Sequence, residues 1–94
     1  MNKNNLKIIR KPEACALAGL SNTSLFEQTR AGIFPPSISI GARAVGFISH
    51  EIQTVIAARS IGKSDDEIRL IVRALIKQRE FSANDLLKHL EAKS

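Results

Sequence analysis

The run Lys11 to Glu51, KPEACALAGLSNTSLFEQTRAGIFPPSISIGARAVGFISHE, constrains the fold of this chain more than any other stretch. Its punctuation leaves room only for short elements. Pro12 is pre-set for the first turn of a helix, Glu13 suits the positive end of the dipole, and Gly19 is a natural left-handed stop. Ser21 is an N-cap, and Leu20 and Leu25 occupy the positions of a hydrophobic staple, which fixes the entry angle of a second helix. That helix is predicted to reach about Ala31 and end at Gly32. Phe34-Pro35-Pro36 forbids further helix, because proline removes donors and restricts its predecessor. Ser37-Ile38-Ser39-Ile40 then alternates with period 2, and Val45-Gly46-Phe47-Ile48 reads as its partner strand. The tip between them, Gly41-Ala42-Arg43-Ala44-Val45-Gly46, carries one cation between two glycines.

The flanks extend this pattern. Leu6-Lys7-Ile8-Ile9 reads as a short edge strand. In the first helix, Ala14, Cys15, Leu17 and Ala18 supply a thin apolar face. Ser49 is predicted to cap a third helix, with Glu51 in its first turn, Ile52, Val55 and Ile56 inward, and Gly62 at its end. Ser64-Asp65-Asp66-Glu67 is a capping box, and Ile68, Ile71, Val72, Leu75 and Ile76 follow it at helical spacing without a miss. Ser82 is expected to cap a last short helix with Leu86, Leu87 and Leu90 inward. The expected class is mainly α with a small β-ribbon. Residues 6–62 form the unit bearing the motif, and 63–94 a C-terminal helical extension. The stripe Ile68, Ile71, Val72, Leu75 and Ile76 either completes the core or forms a dimer face.

Composition excludes several function classes. A chain of 94 residues and 10.3 kDa makes one domain with a modest core and little room for an enclosed active site. One cysteine, Cys15, excludes an internal disulfide framework, suits a reducing cytoplasm, and reads as a small buried side chain. No apolar run approaches the roughly 20 residues a membrane span needs, and Met1-Asn2-Lys3-Asn4-Asn5 lacks the apolar stretch of a signal peptide. The expected location is the cytoplasm, at the nucleoid. His50 and His89 lie far apart without cysteine or carboxylate at metal spacing. Ser49-His50-Glu51 is triad-like only as text, since consecutive residues at a helix start point in different directions. No catalytic residue, metal site or cofactor is expected, and the chain does not read as an enzyme.

Charge points elsewhere. The net charge is +5, and residues 1–63 hold all of it, with eight cations against three carboxylates; residues 64–94 hold six of each. Such an excess on the half with the motif fits contact with phosphates of double-stranded DNA. On the second helix, Asn22 and Gln28 suit adenine, Ser21, Thr23 and Ser24 are adaptable donors and acceptors, and Arg30 can take guanine or phosphate. Gln28 also has the option of facing its own domain. In the ribbon tip, Gly41, Ala42, Arg43 and Ala44 allow close approach, with Arg43 aimed at a narrow minor groove. Lys7, Arg10 and Lys11 are candidate phosphate clamps. Four or five phosphate contacts imply a log K against log salt slope of roughly −4. Binding by one copy is then weak, and tight occupancy needs a homodimer or cooperative assembly on DNA.

These residues resemble the AlpA family of phage-type regulators, relatives of MerR-like and excisionase winged-helix proteins. The resemblance runs from about Ile8 to Arg59. It rests on Arg10-Lys11-Pro12-Glu13, Leu20-Ser21, Ser24-Leu25-Phe26, Ala31-Gly32, Phe34-Pro35, the Gly41 to Phe47 segment, and Glu51 with Ala57-Ala58-Arg59. It implies a MerR-like winged helix-turn-helix with a C-terminal helical extension. It also implies site-specific DNA binding in a prophage or genomic island. The role is then either regulation of integrase genes, or excision as a recombination directionality factor partnered by an integrase or recombinase. Asn22 and Glu27 stand where the family has basic residues, and Phe47 and Val55 where it has tryptophans. The alternative is a protein-interaction adaptor or anti-repressor that has lost strong DNA binding.

Overall fold

A computed structural model describes residues 7–92. In chain order the elements are β1 (Ile8–Ile9), α1 (Lys11–Ala18), α2 (Asn22–Arg30), β2 (Ile38–Gly41), β3 (Ala44–Ile48), α3 (Ser49–Ser60) and α4 (Asp65–Ala92). The result is mainly helical, with a three-stranded antiparallel sheet in the order β1-β3-β2. Leu6, expected in the edge strand, lies outside the described residues.

Local signals set most boundaries. Arg10 is the N-cap of α1, and Pro12 sits in its first turn. Gly19 closes α1 at φ 68°, which leaves Leu20 N–H to donate to the Cys15 carbonyl at 2.9 Å. The Ser21 side chain accepts from Ser24 N–H at 3.1 Å and starts α2. Gly46 permits the close approach of β1 to β3, since a Cβ there would lie 2.5 Å from Ile8 Cγ2.

The start of α3 differs from expectation. Its N-cap is Ile48, without a side-chain cap, and Ser49 is its first helical residue. The Ser49 N–H donates to the Lys7 carbonyl at 2.9 Å, so the β1–β3 ladder runs directly into the helix and occupies the group a cap would order.

The core forms two clusters joined by α3. Ile9, Ala14, Leu25, Phe34, Phe47 and Ile52 make one, with Phe34 and Phe47 edge to face at 6.2 Å. Ile33, Val55, Ala58, Ile68, Val72 and Leu75 make the other. Leu17, expected on the buried face of α1, is exposed.

One further expectation for the C-terminal half is corrected, and of two alternatives left open there the core packing is the one observed. First, α4 is one helix of 28 residues, and Ser82 lies within it. No glycine or proline follows Gly62, so nothing stops the helix there. Leu86, Leu87 and Leu90 are exposed, because α4 continues past the domain it packs on. At 1.5 Å per residue it spans about 42 Å, close to the 45 Å long dimension of the molecule. Second, Ile68, Val72 and Leu75 are buried against Val55 and Ala58 of the same chain, so they are not free to form a dimer face. Ile71 packs partly on that cluster, and Ile76 is exposed.

Candidate nucleic-acid interface

The site is built where α2 meets the hairpin of β2 and β3. Leu25 faces inward from α2, which turns Asn22, Thr23, Phe26, Glu27 and Arg30 outward. Between α2 and β3 lies an open groove of about 290 Å³. Leu25 and Phe47 form its floor, Phe26 and Val45 its apolar walls, and Lys11, Arg30 and Ser37 its polar rim. Lys11 and Arg30, far apart in sequence, therefore share one concavity. Phe26 is 52% exposed there, a large apolar surface between two cations that helical spacing alone does not mark as functional.

Arg43 stands at the hairpin tip, two residues from Val45 of the groove wall. It adopts φ 63°, the left-handed region in which β-carbon crowding disfavours every residue except glycine. Gly41, Ala42 and Arg43 are exposed, and Ala44 is half-buried at the start of β3. Positive φ thus occurs twice in the tip, at Gly41 (φ 156°) and at Arg43 itself.

The remaining candidates divide by what already engages them. Ser21 and Ser24 spend their hydroxyls on each other, at 3.0 Å, in capping α2. Asn22 Oδ1 accepts from the thiol of Cys15 at 3.4 Å, which ties the outer end of α2 to α1. Cys15 is half-buried, more open than the sequence suggested. Thr23 is exposed, and Gln28 is half-buried. Lys7, Arg10 and Lys11 are exposed along the approach to α1.

Ion pairing separates the cations into two groups. Arg59, Lys63, Arg69 and Arg79, at the end of α3, in the connection after it and on α4, pair with Asp65, Glu67, Asp66 and Glu51. Among the described residues, Lys7, Arg10, Lys11, Arg30 and Arg43 have no carboxylate within 4.0 Å. No ion pair among the described residues thus neutralises these cations on the half that carries the hairpin.

The family model for the prophage CP4-57 regulatory protein (AlpA) matches residues 7–61. This chain belongs to the AlpA family. The match runs from the residue before β1 through the end of α3, and so contains the groove, the hairpin and every unpaired cation just named. A relative from Enterobacteria phage P4, the uncharacterized protein ORF88, is 35% identical over 57 residues, covering 61% of this chain and 65% of that protein. The chain therefore spans just under two thirds of the length of that relative. No solved structure matches. All of α4 lies beyond the AlpA match, so the role of the long helix must be argued from its own residues.

Proposed function

We propose that this AlpA-family regulatory protein binds double-stranded DNA site-specifically. In this reading residues 6–62 act as a MerR-like winged helix-turn-helix. Helix α2 lies in the major groove with Thr23, Asn22 and Arg30 toward the bases, and the β2–β3 hairpin is the wing. Residues 63–94 are a helical extension that packs as part of the same unit. The observation that carries the reading is Arg43, an unpaired guanidinium held in a disfavoured backbone conformation at the apex of the hairpin. Strain at an exposed cation is retained where the position of that cation matters. Lys11 and Arg30 border the groove between α2 and β3, a place where the sugar-phosphate strand separating two grooves would pass in this reading. Lys7 and Arg10 extend the same phosphate-binding approach.

Two roles share these contacts, namely regulation of integrase genes and direction of excision beside a recombinase. Both act by occupancy and by shaping the duplex, without a cofactor. A gel shift with DNA around its own gene, at two salt concentrations, tests the reading. Specific bands are expected, with a log K against log salt slope of roughly −4. Arg43→Ala is expected to weaken them, and unchanged binding would remove the hairpin from the site.

A protein-interaction adaptor is the second reading. The half-exposed Phe26 and the outward Glu27 on α2 favour it, being better suited to a protein surface than to phosphates. Absence of any shift at low salt would select it.

A further inference from the structure

Past Arg79, α4 carries exposed residues that nothing among the described residues covers. Phe81 is 75% and Leu87 54% exposed, a large apolar display for a short stretch of isolated helix. Glu80, Asn84 and Lys88 are also exposed, and among the described residues neither charge has an ion-pair partner. Glu80 and Lys88 stand two turns apart, about 12 Å along the axis, too far to pair with each other within one helix.

The pattern has a centre. Glu80, Asn84 and Lys88 form a single i, i+4 row, and the charge changes sign on reflection through Asn84. A twofold axis through Asn84 places the row of a second copy alongside in reverse order. The row is inclined about 26° to the helix axis, so two copies align their rows when the helices cross at about 50°. Glu80 then meets the partner's Lys88, Lys88 meets the partner's Glu80, and Asn84 meets its own copy. Phe81 and Leu87 lie on opposite sides of the row, and each faces its own counterpart across the axis.

We infer that the projecting end of α4 is a self-association surface, whose partner is a second copy of this chain in antiparallel orientation. The self-complementary charge row selects this occupant, because isologous contact requires the same patch to satisfy itself. Equal numbers of both signs across residues 64–94 leave no net repulsion between these two segments themselves. The surface is distinct from Ile68, Val72 and Leu75, which are used internally. It also lies outside the residues assigned to DNA, so it stands or falls independently of that reading. The patch is small, and the dimer is accordingly weak and dependent on concentration.

Sedimentation equilibrium of the full chain at low salt, from about 1 μM to about 1 mM, tests this. A mass rising from one copy to two is expected. Glu80→Lys alone, or Lys88→Glu alone, sets like charges against each other at both symmetry-related contacts and is expected to weaken association about tenfold. The double variant E80K/K88E regenerates the row with its signs exchanged, and is expected to restore association to about the original strength. Circular dichroism of each variant, unchanged at these exposed positions, separates loss of association from loss of fold. A single-copy species throughout would overturn the proposal and leave the face to a different protein. A dimer indifferent to the single reversals, or not rescued by the exchange, would overturn it as well.

Discussion

Arg79 grips both carboxylate oxygens of Glu51, through Nε at 2.8 Å and Nη2 at 2.6 Å, and the same Nη2 donates to the Pro36 carbonyl at 2.7 Å. Glu51 is 1% exposed, in the first turn of α3. One guanidinium thereby joins α4, the start of α3 and the loop that leads into the hairpin. The long helix is coupled to the elements that carry the candidate DNA surface, although the family match ends before it.

Arg79→Ala leaves the Glu51 carboxylate buried without its counter-ion and leaves the Pro36 carbonyl without this donor. The arginine side chain retains some solvent access, which moderates the loss. A destabilisation of about 2–4 kcal/mol is expected, read as a lower denaturation midpoint. Arg79→Met with Glu51→Leu, which removes both charges, should recover most of it. If the double replacement is no better than the single one, the cost is not that of a stranded charge.

Arg43 allows stability and binding to be separated. At φ 63°, Arg43→Gly relieves the β-carbon crowding that Arg43→Ala retains. The glycine variant is expected to be about 0.5–1 kcal/mol more stable than the alanine variant. Both should lose DNA affinity by about tenfold, since both remove the guanidinium. Thermal melts paired with quantitative gel shifts check this, and full DNA affinity in either variant would count against a role for the wing.

Gly46→Ala tests the packing of β1 on β3. The added Cβ would meet Ile8 Cγ2 at 2.5 Å, with Ile40 Cδ1 and the Ile9 carbonyl oxygen each at 3.4 Å. Overpacking of this kind costs about 1–3 kcal/mol, and β1 should shift away from its partner. Amide exchange is expected to accelerate at Ser49, whose N–H donates to Lys7 beside that strand. Unchanged exchange would show that the sheet absorbs the methyl group elsewhere.

Glu67 gives a pH dependence with a defined sign. Its carboxylate accepts from Ser64 N–H at 3.0 Å, the Ser64 hydroxyl accepts from Glu67 N–H at 3.2 Å, and Lys63 lies 3.5 Å away. The hydrogen bond from the Ser64 backbone, then its side chain, then the Lys63 charge hold the carboxyl below the ordinary glutamate value. A carboxylate lowered on folding contributes fully above its unfolded pKa and loses that contribution as pH falls through the folded value. The first turn of α4 should therefore loosen only in acid, below the usual glutamate range. Ser64→Ala keeps the backbone donor and should raise the Glu67 midpoint only in part in an NMR titration; an unmoved midpoint would remove the Ser64 side chain as a cause.

Local chemistry made several elements legible before any fold was known. The Gly19 stop, the Ser21 cap and the Ser64–Glu67 box each involve partners within a few residues, so their letters carry the interaction. The same reasoning misplaced a cap at Ser82, because a serine inside a helix and a serine at its start look alike in sequence. It also placed the cap of α3 at Ser49, where long-range strand pairing had already claimed the backbone. Periodicity showed that Ile68, Val72 and Leu75 share a face, but an apolar stripe does not say whether α3 or another copy covers it.

Residue order alone thus settled the kinds of elements, the concentration of positive charge in residues 1–63 and the absence of any breaker after Gly62. These follow from steric and short-range preferences that each residue carries with it. Folding in three dimensions decided that Arg79 reaches Glu51 across 28 positions, that Lys11 and Arg30 border one groove, and that Arg43 takes the left-handed turn. Those depend on which distant surfaces exclude water together, a property of the packed whole that no single stretch of chain contains.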